Sequence, residues 1–552
     1  MQKALHKTLL AAGALACMAA SAAACTSMGA GCKATADGSV LVSHTVDDWY
    51  DQRIKIVPGG KHKPGEMVDV YVDVCTDTRP ELKIYKSGSI PQVPETNTYF
   101  HVGYPFMNDK QVMIGEFTWL GRDEVYNAAG MLYIANLEIF GLQRASTARE
   151  AIKVMGELAE KYGYGDWGET LIVGDKHEAW VFEICGGGAI WTPTSGLPGA
   201  HWVARRIPDD EIFVGANRSR ICEVDFNDKE NFMWSTNLTD LPEKMGWWKK
   251  GEPFNYSKIF DPEPYGYPHY QSRREWRAFS LLKPSEKFPV KDRYEAYPFS
   301  IKPDKKLTPR DIMLIYSDHL EGTDYDMTKD PASGAFGCPN RWQQEQADLP
   351  DDLKGQDWER PIALYRCSYS FVSQSRSWLP DPIGGVLWFG EDAPDTTVYV
   401  PVYCGVTKVP EAWSTGKRHV YDPTCAYWAF NLVNNWANLR WDAMYKEIRA
   451  KKVEYEDRFF ADQPKIEAEA QKLYKQSPAK AVAYLTKYTD SVMDEVFKGW
   501  WDFAWYLIGR YQDGLQIKPD GAKFRPGYPA EYLRKVGFGA MSRRDLENTK
   551  KK

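Results

Sequence analysis

Histidine is scarce in this chain, nine of 552 residues, and no two of them form the H-E-x-x-H pair that sets two zinc ligands on one helix face. G-x-S-x-G and G-x-x-x-x-G-K are also missing, which removes support for the common zinc-protease, serine α/β-hydrolase and P-loop readings. The ten cysteines never fall in a C-x-x-C spacing, so no zinc cage is expected and no cofactor is implied. Apart from Cys17 and Cys25 they are scattered over positions 32, 75, 185, 222, 338, 367, 404 and 425, and their spacing shows no pairing. There is no internal repeat or low-complexity tract. Beyond the first 24 residues, no apolar run is long enough to span a bilayer. Basic excess is lacking too: 69 Lys and Arg stand against 75 Asp and Glu, net −6. That balance argues against nucleic acid or an anionic membrane surface as partner.

What is present begins at the amino terminus. Lys3 and Lys7 precede an apolar stretch over 9–20, and Ala22-Ala23-Ala24 supplies the small-x-small pattern cut by signal peptidase. Residues 1–24 are therefore expected to be a secretory signal, and the mature protein to be exported, periplasmic or extracellular in a bacterium. Cleavage there would leave Cys25 as the first residue. An amino-terminal cysteine carries a nucleophile and a base on one residue, since its α-amine titrates near ~7.7–8.0 and its thiol near ~8.5. Two plainer readings stay open: Cys25 is merely the residue after a cut, or it is lipidated. Lipidation favours a larger aliphatic residue three places upstream, where this chain has Ala22.

A chain this long exceeds the ~250–300 residues at which one hydrophobic core stops growing, so a large catalytic domain with an appended unit is expected. Ala36-Asp37-Gly38 signals a turn into a strand over 39–45, with Asp47 just beyond, and 53–57 reads as another strand. Thr147-x-x-Glu150 is a capping box, after which Ile152, Met155, Leu158 and Tyr162 keep helical spacing to Gly163. Strand-like runs follow at 170–173, 179–184, 201–205 and 211–216, and later at 385–389 and 397–403. Residues 174–178 form a turn, and so do the three glycines 186–188, which lack the helix start and lysine of a phosphate cradle. The doublets Asp209-Asp210 and Asp351-Asp352 read as loop charges. From about 426 to 512 the chain is helical, and Trp428, Trp436, Trp441, Trp500, Trp501 and Trp505 are expected to pack. This pattern predicts an α+β layered core with a helical C-terminal extension.

Several pieces together then resemble a known family. Cys25-Thr26-Ser27, Ala36-Asp37-Gly38-Ser39 and His44-Thr45-Val46-Asp47 are similar to the start of the secreted C69 dipeptidases, N-terminal-nucleophile hydrolases related to bile-salt hydrolases and penicillin V acylases. Thr147-Ala148-Arg149-Glu150-Ala151, Glu178-Ala179-Trp180, the 205–210 and 216–221 segments, Asp318-His319-x-Glu321-Gly322-Thr323 and Gly385-Val386-Leu387-Trp388-Phe389 follow in order. The resemblance covers residues 25–410, with 411–552 as the helical extension. It implies a four-layer αββα sandwich that cleaves amide bonds in small peptides without a cofactor. A homo-oligomer is left open.

Carried over position by position, Cys25 matches the nucleophile and Asp47 the acid that holds its amine. Asn217 matches an amide near the oxyanion, and Arg274 the active-site arginine, with Arg273 and Arg277 as competing registers. Each has a plainer alternative: a turn Asp, a turn Asn within the formal sequon Asn217-Arg218-Ser219, and a surface Arg. His44 departs from the pattern, because many relatives carry Arg there. Strand alternation puts 44 and 47 on opposite faces, so a turn near Thr45 is expected if both are to reach the nucleophile. Two alternatives to a dipeptidase remain: an amidase on N-acyl substrates, which needs an apolar pocket rather than a charged grip, and a non-catalytic, lipid-anchored binding protein.

Overall fold

The computed structural model describes residues 25–72, 83–236, 238–344 and 346–550; the expected signal segment, with Cys17, and Cys75 lie outside them. Two large antiparallel sheets dominate. The first contains seven strands in the order β12 (Ser300–Ile301), β10 (Ile212–Gly215), β1 (Thr26–Ala30), β2 (Val40–Asp47), β13 (Cys367–Ser375), β14 (Val386–Glu391) and β15 (Val400–Tyr403). The second contains eight: β11 (Phe232–Trp234), β9 (Ala200–Ile207), β8 (Ala179–Gly186), β7 (Glu169–Gly174), β6 (Met113–Thr118), β5 (Met107–Asn108), β4 (Tyr99–His101) and β3 (Lys55–Val57). Every residue of β1, β2, β7 and β8 is buried. These strands are covered on both faces, which is why their sequences do not alternate cleanly between apolar and polar.

The sheets meet face to face through β2 and the β6–β7 pair. Gly115 and Gly174 make the close approach possible. A Cβ on Gly115 would lie 2.9 Å from the Ser43 carbonyl oxygen, and one on Gly174 would lie 2.7 Å from Val42 Cγ2. Helices cover the outer faces. α1 (Ile134–Arg144) and α2 (Ala148–Tyr162) lie on the second sheet, while α3 (Ser272–Leu282) and α4 (Pro309–Tyr316) lie on the first. The fold class is thus α+β.

The predicted helix after Thr147 forms, but its capping box closes on one side only. Thr147 Oγ1 accepts the Glu150 N–H at 3.2 Å, whereas the Glu150 carboxylate takes the Ser146 N–H at 2.8 Å. Gly163, at φ 81°, ends it. The turn expected near Thr45 does not exist, because β2 continues to Asp47. The irregularity sits instead in its partner, where β13 shifts register between Cys367 and Tyr369 and bulges at Ser368. That extra residue keeps β2 paired to its end.

The C-terminal segment consists of α5 (Ala426–Ala437), α6 (Trp441–Gln476) and α7 (Pro478–Arg510). It shares the core of the sheets: Phe460 of α6 stacks on Trp388 of β14 at 4.2 Å, and Trp500 of α7 stacks on Phe430. Trp441, Trp500 and Trp501 are buried and Trp428 and Trp436 half-buried, but Trp505 is 52% exposed. It packs all the same, its ring stacked on that of Trp501 one turn earlier at 5.2 Å. No helix among the described residues is long and apolar enough to cross a membrane.

Candidate active site

Cys25 immediately precedes β1 and is completely buried. β1 and β2 pair antiparallel with Ser27 opposite His44 and Thr26 opposite Thr45. Alternation then sorts the side chains. Ser27 donates to the Glu116 carbonyl, and His44 Nδ1 accepts the Glu116 N–H at 3.3 Å, so both face the second sheet. Ser43 bonds Tyr316 of α4 at 2.7 Å, and Thr45 Oγ1 donates to Asp47 Oδ2 at 3.4 Å, so these face the other way. His44 and Asp47 do lie on opposite faces. Cys25 sits at the strand end, where both faces can be reached, and no turn is needed.

On the inter-sheet side, Cys25 Sγ, a ring nitrogen of His44 and a carboxylate oxygen of Glu116 lie within 4.8 Å of one another. The sequence spacing held no such cluster; the fold assembles it from positions 25, 44 and 116. His44 Nδ1 is occupied by a backbone donor, which leaves the ring proton on Nε2, 3.4 Å from Glu116 Oε2. A divalent ion taking all three groups would have to displace that proton.

On the outer side, Asp47 Oδ2 accepts from the Arg360 guanidinium, and Asp47 Oδ1 is buried without a hydrogen-bond partner. Burial pushes the Asp47 carboxyl up, opposed first by Arg360 and then by Arg274. The Cys25 thiol is pushed well above its ordinary value, first by burial, then by Glu116 and Asp47. Such a thiol stays protonated near neutrality and needs a base when it attacks.

Arg274 projects from α3 beneath Cys25. Its Nη1 donates to the Cys25 carbonyl oxygen at 2.8 Å and to Thr26 Oγ1 at 3.1 Å, while Nη2 donates to Asn217 Oδ1 at 2.8 Å. Neighbouring arginines point elsewhere, Arg273 to Glu359 and Arg277 to Asp318. Asn217 follows β10 in the left-handed region at φ 51°, and its Nδ2 donates to the Thr118 carbonyl at 2.8 Å. It is fully buried, so the sequon it heads is closed to glycan attachment in the folded protein. The following residues anchor it: Ser219 and the Arg220 N–H bond Glu183, and Arg218 pairs with Glu275.

A family model described as Peptidase family C69 matches residues 24–454, starting one residue before Cys25 and running into α6. The chain belongs to this family. Membership makes it a peptidase, and individual relatives are consistent with that. A probable dipeptidase of Latilactobacillus sakei is 27% identical over 405 residues, 71% of this chain and 76% of the relative. A probable dipeptidase B of Lactococcus lactis subsp. lactis is 26% identical over 489 residues, 86% and 93% of the two chains. Dipeptidase A of Lactobacillus helveticus is 29% identical over 269 residues, about half of each.

Three residues at or near the candidate site escaped sequence reasoning: Arg360, Glu116 and Glu169, the last a strand neighbour of Glu116. Arg360 lies in a loop with no periodicity to mark it, and only the fold carries it to Asp47. Glu116 and Glu169 did leave a signal: each is an acid in an otherwise apolar strand, Met-Ile-Gly-Glu-Phe-Thr and Glu-Thr-Leu-Ile-Val-Gly.

Proposed function

We propose that this protein is an exported cysteine dipeptidase of the N-terminal-nucleophile class. After removal of residues 1–24, Cys25 Sγ attacks the scissile carbonyl and its own α-amine takes the thiol proton. The tetrahedral oxyanion collapses with loss of the leaving amine, which receives that proton, and water hydrolyses the thioester. Asp47 Oδ1, which lacks a partner, is the acceptor assigned to the α-ammonium. Asn217 is assigned to the oxyanion because a neutral N–H stabilises developing charge without opposing it in the ground state. Arg274 is a positioning residue that ties the Cys25 carbonyl to Asn217.

The observation that carries this reading is the convergence on one fully buried cysteine of a carboxylate, an amide and an arginine drawn from β2, the end of β10 and α3. The raised thiol pKa supports activation by a base over a standing thiolate. The stacked sheets with outer helices support the four-layer αββα arrangement, and the relatives' dipeptidase names support the substrate class. Burial of Cys25 speaks against the lipid-anchored alternative, since an acylated thiol would have to leave the core.

The experiment keeps Cys25 and adds one non-cleavable residue before it, turning the amine into an amide. Mature protein, its mass starting at unmodified Cys25, is expected to hydrolyse members of a dipeptide panel. The extended form should lose about 10²-fold or more, the scale of a missing general base, and Cys25→Ala should be inactive. Full activity of the mass-verified extended protein overturns the mechanism, and turnover of N-acyl amides alone would favour the amidase reading.

A further inference from the structure

One acidic group at the site has no task in that chemistry. Glu116 of β6 is completely buried within 4.8 Å of Cys25 Sγ and the His44 ring. Its Oε1 accepts from Thr118 Oγ1 at 3.2 Å, but its Oε2 has no hydrogen-bond partner, and neither has His44 Nε2 beside it. Glu169, 2% exposed at the start of β7, stands opposite Thr118 and so shares a sheet face with Glu116. Burial first, and then the Glu116 charge, push the Glu169 carboxyl well up. Two carboxyl groups side by side in a dry interior disfavour carrying a charge each. Among the described residues, neither acid is paired with a lysine or arginine, whereas Asp47 and Glu275 both are.

A buried, uncompensated carboxylate is costly unless a cation comes to it. The geometry beside a cysteine nucleophile says which cation fits. In a dipeptide, the α-ammonium nitrogen lies about 2.5 Å from the scissile carbonyl carbon, across one Cα. That carbon must come within about 3–3.5 Å of Sγ. An acceptor oxygen within 4.8 Å of Sγ can then reach the ammonium at ordinary hydrogen-bond length.

We propose that the Glu116–Glu169 pair is the subsite for the substrate's free α-ammonium group, a role that rests on Cys25 being the nucleophile. His44 completes it. Its Nδ1 is held by the Glu116 N–H, so the imidazole presents Nε2–H to the carboxylate without neutralising it. An arginine at 44 would consume the charge that the ammonium needs. The pair selects peptides with an unblocked amino terminus and disfavours N-acyl amides.

The test is a binding measurement on Cys25→Ala, independent of turnover. Calorimetry would compare L-alanyl-L-alanine with isobutyryl-L-alanine, in which a methyl replaces the ammonium at nearly equal volume. The free dipeptide should bind about 100-fold tighter, the scale of one hydrogen bond to a charged group. In Glu116→Gln, folded as judged by an unchanged melting profile, the two ligands should bind within a few-fold of each other. Glu169→Gln should retain the preference, because a neutral amide mimics the protonated acid. Equal binding of the two ligands to Cys25→Ala, no binding of alanyl-alanine at about 10 mM, or a preference that survives Glu116→Gln each overturns the subsite. If the preference is present while the mature wild type hydrolyses nothing, the subsite stands and the catalytic reading falls.

Discussion

Arg274 Nη2 donates to Asn217 Oδ1 at 2.8 Å while Nη1 of the same guanidinium holds the Cys25 carbonyl oxygen at 2.8 Å. One rigid fork thus sets the distance between the candidate nucleophile and the candidate oxyanion donor. It also orients the amide, because an Oδ1 that accepts from Arg274 obliges Nδ2 to point away from it, toward the Thr118 carbonyl. Lysine has one compact donor group and could not span these acceptors.

Asn217→Ala should therefore lower kcat by roughly 10²–10³ with a smaller change in KM, the signature of a lost oxyanion donor. Stability should fall modestly, because alanine in the left-handed region costs about 1–2 kcal/mol. Steady-state kinetics beside a thermal melt separate the two effects. A near-normal kcat would return Asn217 to a turn-forming role.

Metal removal should leave hydrolysis intact. The donor set of Cys25, His44 and Glu116 can be occupied only if the His44 Nε2 proton leaves, and the proposed chemistry runs through the free thiol. Activity should survive EDTA, while added Zn²⁺, which favours thiolate and imidazole ligands, should inhibit by capturing Sγ. Loss of activity in EDTA with recovery on zinc would remove the cysteine-nucleophile account.

A pH effect on stability should arise at His319. His319 is buried with Nδ1 3.1 Å from Glu321 and Nε2 3.3 Å from Asp395, its ring edge-on to Trp441 of α6 at 5.9 Å. Burial alone would lower its pKa, but Asp395 and then Glu321 raise it to about 10. The folded protein keeps this proton to about pH 10, whereas the unfolded chain releases it near ~6.5. The stabilisation is complete below ~6.5 and is lost as pH rises toward 10. Burial pushes the Glu321 carboxyl up, but His319 more than offsets this and takes it down to about 2, so its share is lost as pH falls from ~4.5 toward 2. Thermal melts of wild type against His319→Gln should show a lower Tm for the variant at pH 6 and a gap that narrows by pH 10. A gap independent of pH would mean that the ring acts by packing alone.

Local order was legible from the residues alone wherever neighbours in the chain decide it. The Thr147–Gly163 helix, the turn at Asp37-Gly38 and the strands from 170 to 207 follow from caps, turn residues and short-range periodicity, and they form with boundaries shifted by a few residues. The end of β2 was not legible, because a bulge at Ser368, more than 300 positions away, decides where that strand stops pairing. The exposure of Trp505 was not legible for a related reason: it stacks on Trp501 as a packing residue, but only the docking of α7 against its neighbours decides how much of the ring meets water.

The site divides in the same way. The amino-acid order by itself determined the α+β class, the absence of local metal-ligand spacing and the candidates Cys25, His44, Asp47, Asn217 and Arg274. Only the tertiary structure decided that Arg274 rather than Arg273 or Arg277 reaches Cys25, that Arg360 pairs with Asp47, and that Glu116 lies beside the thiol with Glu169 on the same sheet face. The physical reason is that such contacts depend on long-range strand order and helix docking. Arg274, Arg360 and Asp47 enter a dry interior because the assembled fold brings them partners, and those partners are set by three-dimensional packing rather than by proximity in the chain.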